Sequence, residues 1–206
     1  MRAAKGHRRN AGPKRPEGRF RIIGGEWRGR RFIFPALEGV RPTGDRIRET
    51  LFNWLQPAIP GARCLDLFAG SGALGLEAMS RGAGELIFVD SERRLLESIK
   101  GHLSVLGRDS GYNCVCGDAA DFLQSNLNQF DVVFLDPPFG TGQVSEMCRI
   151  LQERDQLAPG ARIYIESEAG ADPGLPDGWR LLRSARAGNV GYHLAAVPEA
   201  PGRAQE

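Results

Sequence analysis

The hydrophobic positions of this chain fall into short apolar runs bounded by glycine, proline or acid, with stretches of helical spacing between them. Cys64 to Phe68, Glu85 to Asp90, Tyr112 to Cys116, Asp131 to Asp136 and Arg162 to Ser167 read as strands. The third- and fourth-residue spacing in between predicts helices over about 72–82, 91–106 and 143–153, with a short one ending near Leu127. Val132-Val133-Phe134-Leu135 is apolar on both faces, as a strand inside a parallel sheet must be. Upstream, Arg21 to Gly25 and Arg30 to Phe34 predict a hairpin turning through Trp27-Arg28-Gly29. A helix follows, capped by Thr43 or Asp45, with Ile47, Leu51, Trp54 and Leu55 on one face and Arg46, Arg48 and Glu49 on the other. Pro57 and Pro60-Gly61 end it. Trp179 to Arg186 and Val190 to Val197, joined by Ala187-Gly188-Asn189, close the chain as an antiparallel hairpin. The alternation predicts an α/β fold: a doubly wound, mostly parallel sheet of seven strands, Rossmann-like, with an N-terminal β-hairpin and helix extension.

Composition narrows the class. A chain of 206 residues that is 41% hydrophobic holds one full domain with an additional segment. No apolar run approaches the roughly 18 residues of a membrane span, and the basic N-terminus has no apolar stretch behind it, so a cytoplasmic protein is expected. Cys64, Cys114, Cys116 and Cys148 lack CxxC spacing, and with three scattered histidines they predict reduced thiols and no metal site. Charge adds an asymmetry. Residues 1–48 hold 14 Lys and Arg against four Asp and Glu, a net of +10, whereas the remainder nets −8. Such an arm on an acidic body predicts a polyanionic partner, most plausibly nucleic acid, although residues 1–18 read equally as a solvated flexible tail. The expected organisation is a basic arm at 1–18, an RNA-binding hairpin and helix at 19–60, a catalytic domain at 61–198 and a flexible tail at 199–206.

The chemistry concentrates at the predicted strand ends. Gly70-x-Gly72-x-x-Gly75 after a strand lets the backbone turn tightly and approach a ligand, with a helix N-terminus behind it. By itself that pattern reads equally as a dinucleotide fingerprint. Asp66, an acid in an otherwise apolar strand, sharpens it, because such a carboxylate is costly unless something nearby needs it. Asp90 lies about 20 residues past the first glycine, the spacing for ribose recognition, and Asp118 follows the next strand. A ligand with ribose hydroxyls for Asp90, an adenine amine for Asp118 and an α-ammonium for Asp66 is S-adenosylmethionine. NAD would use the glycines and Asp90 but offers little for Asp66. The cofactor set is Asp66, Phe68, Gly70, Ser71, Gly72, Asp90, Asp118 and Ala119.

Asp136-Pro137-Pro138-Phe139 is more specific. Two prolines donate no N–H and stiffen the backbone, so only acceptors face the crevice. Asp136 and the Pro137 carbonyl would grip the two N–H groups of an exocyclic nucleobase amine while Phe139 stacks on the ring. Arg21, Trp27, Arg28, Arg30, Arg31, Arg41 and Arg46 make the RNA-binding set, with Trp27 either a stacking surface for an unpaired base or a lid over the hairpin's apolar face.

These residues together resemble the small-subunit ribosomal RNA guanine-N2 methyltransferases of the RsmD type, within the class I S-adenosylmethionine-dependent fold. The likeness spans about residues 20–197. It rests on Arg21-Ile22-Ile23-Gly24-Gly25, on Arg41-Pro42-Thr43 running through Asp45-Arg46 and Arg48-Glu49-Thr50-Leu51-Phe52-Asn53, on Leu65 to Ala78, and on Asp136-Pro137-Pro138-Phe139. The resemblance implies methyl transfer to N2 of one guanine in 16S rRNA, in an assembled or assembling small subunit. It assigns Asp66, Gly70, Gly72 and Asp90 to the cofactor and Asp136, Pro137 and Phe139 to the base; a monomer is expected. Rival readings are an adenine-N6 DNA methyltransferase, an NAD-dependent oxidoreductase and a non-enzymatic RNA-binding protein.

Overall fold

A computed structural model describes residues 17–37 and 42–199. Its elements in order are β1 (Glu17–Arg21), β2 (Arg31–Pro35), α1 (Asp45–Leu55), β3 (Arg63–Asp66), α2 (Ala73–Ser80), β4 (Glu85–Asp90), α3 (Arg93–Val105), β5 (Tyr112–Cys116), α4 (Ala119–Ser125), β6 (Phe130–Leu135), α5 (Gln143–Glu153), β7 (Leu157–Glu168), β8 (Arg180–Ala187) and β9 (Val190–Ala196). Seven strands form one sheet in the order β5-β4-β3-β6-β7-β9-β8, and β1 pairs with β2 in a separate ribbon. Strands β3 to β7 run parallel to one another, whereas β9 runs antiparallel to both β7 and β8. The winding direction reverses between β3 and β6. Ligands of such sheets bind outside the carboxyl ends of the strands at that point.

The sheet is doubly wound, as the alternation of elements predicts, and its two faces bury separate clusters. One face packs Cys64, Phe88, Phe134, Tyr164 and Leu194 under α1, α2, α3 and the hairpin. The other packs Leu65, Val133, Leu135, Ile163 and Ile165 with α4 and α5. Val132 to Leu135 have no solvent exposure, which explains a strand apolar on both sides. The extension shares the first cluster, since Phe20, Phe32, Phe34, Leu51 and Phe52 lie in it beside Leu76 and Phe134. Each such side chain contributes about 1.5–3 kcal/mol on burial. No helix among the described residues is long and apolar enough to cross a membrane.

Local expectations fail in instructive places. Glu17 and Gly18, expected in the basic arm, already belong to β1 and pair with Pro35 and Phe34. Ile22 still closes the hairpin, its N–H donating to the Arg30 carbonyl, but the next residues turn away because their amides bind α2: Ile23 and Gly24 N–H donate to Glu77, and Glu26 N–H to the Ser80 carbonyl. Gly25 takes φ +76°, and a Cβ there would lie 1.9 Å from the Ser80 oxygen, so only glycine lets the turn sit down. The start of α1 is Gly44 with no side-chain cap, in place of Thr43 or Asp45. Thr43 is buried, and its hydroxyl points to Asp136 instead. Arg48, expected on the solvated face, has no exposure.

Candidate active site

The register puts four acids at the carboxyl ends of adjoining strands. Asp66 ends β3, level with Phe88 of β4 and Phe134 of β6. Asp90 and Asp136 lie two residues further along β4 and β6, which alternation places on the same face. Leu135 pairs with Ile165, so Asp136 and Glu166 stand side by side on neighbouring strands. Asp118 caps α4 just beyond β5, accepting the Ala120 and Asp121 amides on one oxygen. The predicted cofactor and catalytic residues therefore converge at one edge of the sheet.

The glycine turn is held by the acids themselves. Gly70 N–H donates to Asp90 at 2.7 Å and Gly75 N–H to Asp66 at 3.0 Å. The other Asp90 oxygen takes the Glu92 N–H. Gly72, at φ +79°, ends the turn, and a Cβ on it would strike Ile99 at 2.7 Å; a Cβ on Gly75 would meet the Phe88 ring at 2.3 Å. The three glycines thus serve a tight turn and close packing of α2 on β4. Phe68 is half-buried, Ser71 and Ala119 are buried, and all three border that turn or the start of α4.

Burial dominates the electrostatics. The Asp66 carboxyl is pushed up to about 7 by burial, against the Gly75 amide that favours its ionised form. Asp136 is raised well above the ordinary range by burial, then by the negative neighbours Glu166 and Asp66, with the Thr43 hydroxyl opposing. Glu166 is raised by burial, with the Tyr164 and Thr43 hydroxyls opposing. Three acids this close resist simultaneous ionisation, so the site favours a ligand that brings positive charge or N–H donors.

After Asp136 the chain displays the expected acceptors. The Pro138 carbonyl is taken by the Thr141 hydroxyl at 2.8 Å, whereas among the described residues no N–H or O–H is directed at the Pro137 carbonyl. Phe139 is 45% exposed. It lines a cavity of about 260 Å³ between residues 137–145 and 166–173, with Glu166 as the buried acid in its wall.

The RNA-binding set divides. Arg28, Arg30, Arg31, Arg46 and Arg21 are exposed, and Arg21 faces Arg31 directly across the ribbon. Like charges so placed repel one another, and Asp45, on Arg21 at 2.6 Å, relieves this only in part. Trp27 is a correction: at 6% exposure it is the lid and offers no face to a base, because its N–H and neighbours are bound to Ser80 and its ring joins the core. Arg41 lies outside the described residues.

Sequence reading missed Glu166, Thr43 and the buried network at Glu77. Glu166 sits on the same side of β7 as Tyr164, and an acid in phase with a buried aromatic was the available signal. Glu77, fully buried, accepts from Ile23, Gly24, Arg48 and Arg81. Its signal was a lone charge in an otherwise apolar helix, Ala73 to Ser80, every residue of which is buried.

A reversing parallel sheet with a glycine turn and acids at its strand ends, and an antiparallel β8–β9 pair at its edge, defines the class I methyltransferase architecture. The chain belongs to the family described as Conserved hypothetical protein 95, whose model matches residues 20–196. It is similar to ribosomal RNA small subunit methyltransferase D of Escherichia coli strain K12, 44% identical over 178 residues covering 86% of this chain and 89% of that protein. The protein of the same name from Haemophilus influenzae is 44% identical over 181 residues, covering 86% and 94%. Among solved structures, yhhF of Escherichia coli superposes with a TM-score of 0.79 at 42% identity, covering 89% of this chain and 100% of that one.

Proposed function

We propose that this chain transfers a methyl group from S-adenosylmethionine to the exocyclic N2 of a guanine in 16S rRNA. The observation that carries the reading is the convergence at one sheet edge of the Asp66–Asp90 glycine turn with Asp136-Pro137-Pro138-Phe139. The relatives named for small-subunit rRNA methylation support the substrate.

The residues fit the donor. Asp66 commits one oxygen to Gly75 and keeps lone pairs for an α-ammonium, Asp90 sits beside the turn for ribose hydroxyls, and the second Asp118 oxygen faces adenine. When bound, S-adenosylmethionine supplies a methyl already activated on a sulfonium. The protein's task is then alignment and charge stabilisation. Asp136 and the Pro137 carbonyl hold the two N2 protons, drawing the nitrogen lone pair out of conjugation and aiming it at the methyl. With the donor bound, the nitrogen would take the methyl as the sulfonium became a neutral thioether, and the Asp136 carboxylate would accept one N2 proton. Phe139 covers the base ring. Arg21, Arg28, Arg30, Arg31 and Arg46 hold phosphates, consistent with their exposure.

In this reading the RNA is met within an assembled or assembling small subunit in the cytoplasm. The working unit in this reading is one copy of the chain. The test is Asp136→Ala: S-adenosylhomocysteine affinity stays within about threefold while methyl transfer falls by at least the ~100-fold a lost orienting acceptor costs. Unchanged turnover would sink the mechanism.

A further inference from the structure

Glu166 has no assigned role, yet it is the second carboxyl at the point where the base is to be held. Three observations converge on it. It is 5% exposed but lines the cavity that Phe139 and Pro137 also line. It stands beside Asp136 on the adjoining strand, fixed by the Leu135 to Ile165 pairing, at the roughly 4.8 Å spacing of neighbouring strands. It is oriented from below, since the Tyr164 hydroxyl donates to its Oε1 at 2.7 Å. Tyr164 itself is fully buried between β6 and β9.

A buried carboxyl is costly unless a donor meets it. The Tyr164 hydroxyl meets one oxygen, which orients the group and leaves acceptor capacity toward the cavity. Guanine presents adjacent donors on one edge, the N2 amine and the ring N1–H. Adenine and 2-aminopurine carry a bare lone pair at N1. A base whose amine lies on Asp136 turns either N1 or N3 toward the neighbouring strand end, and an acceptor there rewards the orientation that presents N1–H and repels the one that presents a lone pair.

We propose that Glu166 is the specificity-determining residue of the site, accepting the N1–H of guanine while Asp136 holds its N2 amine. This rests on the N2-methyltransferase reading and adds to it the group that selects the base. Thr43 holds the other acid: its hydroxyl lies 3.4 Å from Asp136, and its carbonyl is held by the buried Arg48 at 3.0 Å, so the start of α1 is tied to Asp136 as Tyr164 is to Glu166.

The experiment places either guanine or 2-aminopurine at the methylated position of a ligated 16S rRNA fragment, the position being mapped first with the unmodified chain. 2-Aminopurine keeps the N2 amine and lacks the N1–H. Single-turnover transfer is measured with the unmodified protein and with Glu166→Gln, whose amide offers a donor to a bare N1 as well as an acceptor. The unmodified protein should prefer guanine by roughly 100-fold or more, since a buried acceptor left facing a lone pair is heavily penalised. In Glu166→Gln the preference should shrink at least tenfold, with S-adenosylhomocysteine binding retained as the sign of an intact fold. An unchanged ratio in that variant overturns the role of Glu166. So does equal transfer to both bases by the unmodified protein, a result that needs no variant to fold. N2-methylguanosine as the product in the unmodified protein keeps the underlying reading in place, so failure of the selector and failure of the reaction are told apart.

Discussion

Asp66 shows how a single carboxyl couples stability to ligand binding. Its level rises from 3.8 to about 7 in the folded chain because burial disfavours the charge. The folded state therefore holds this proton more tightly than the unfolded state, and the contribution to stability is full below pH 3.8 and lost as pH rises through about 7. An α-ammonium reverses the balance, so S-adenosylmethionine affinity should increase with pH up to about 7 as Asp66 ionises beside it. Asp66→Asn should flatten the stability slope between those limits, read by urea unfolding. It should also weaken cofactor binding about 10- to 100-fold, the worth of one charge-assisted hydrogen bond. A variant with wild-type affinity and slope would remove Asp66 from the cofactor site. Asp66, Asp90 and Asp136 were legible in the sequence because acids ending apolar runs stand out against their neighbours. Glu166 was not, because its run, Ile163-Tyr164-Ile165-Glu166-Ser167-Glu168, ends in polar residues of which only the first is buried. Exposure, and the pairing to β6, separate them.

At the scale of elements, the hairpin, α1 and α2 behave as one clamp. Glu77 on α2 gathers the Ile23 and Gly24 amides, Arg48 of α1 and Arg81 within a site that excludes water. Arg48 reaches on to Asp45, which binds Arg21 at the end of β1. Removing one partner of such a buried set leaves the others uncompensated, so Glu77→Gln should cost about 3–5 kcal/mol in a denaturant titration. A change under about 0.5 kcal/mol would mean the ions are solvated or easily re-paired. The clamp also explains how α1 buries a charge. Helical spacing sets Arg48 in line with Leu51, Phe52 and Leu55, on the buried side, and Glu77 and Asp45 supply the acids its guanidinium needs there. Among the described residues, Arg21 is the one outward arginine of the ribbon and its turn that forms an ion pair. Arg31→Glu should weaken RNA binding and lower the slope of log affinity against log salt by at least about one, whereas an unchanged slope would place the RNA elsewhere.

For the whole molecule, the alternation of apolar runs was enough to give sheet type, strand number and the crevice, since each run is long enough to show its period and connections in parallel sheets are right-handed and short. Ends of elements were less legible. β1 began two residues inside the expected arm because Glu17 and Gly18 pair with Pro35 and Phe34 of β2, and α1 lacked its expected cap because the Thr43 hydroxyl turns to Asp136. The expected arm before Glu17 and tail after Glu199 lie outside the described residues. What the fold accomplishes is juxtaposition: Asp66 and Asp136 are 70 residues apart in sequence and two strand positions apart in register. The central claim is that this juxtaposition methylates guanine N2 in small-subunit RNA. The most direct measurement is tritiated methyl transfer from S-adenosylmethionine to free 16S rRNA, to assembled small subunits and to DNA, with nucleoside analysis of the product. The account predicts label in N2-methylguanosine from ribosomal RNA and none in DNA; label in N6-methyladenosine, or in DNA alone, would contradict it.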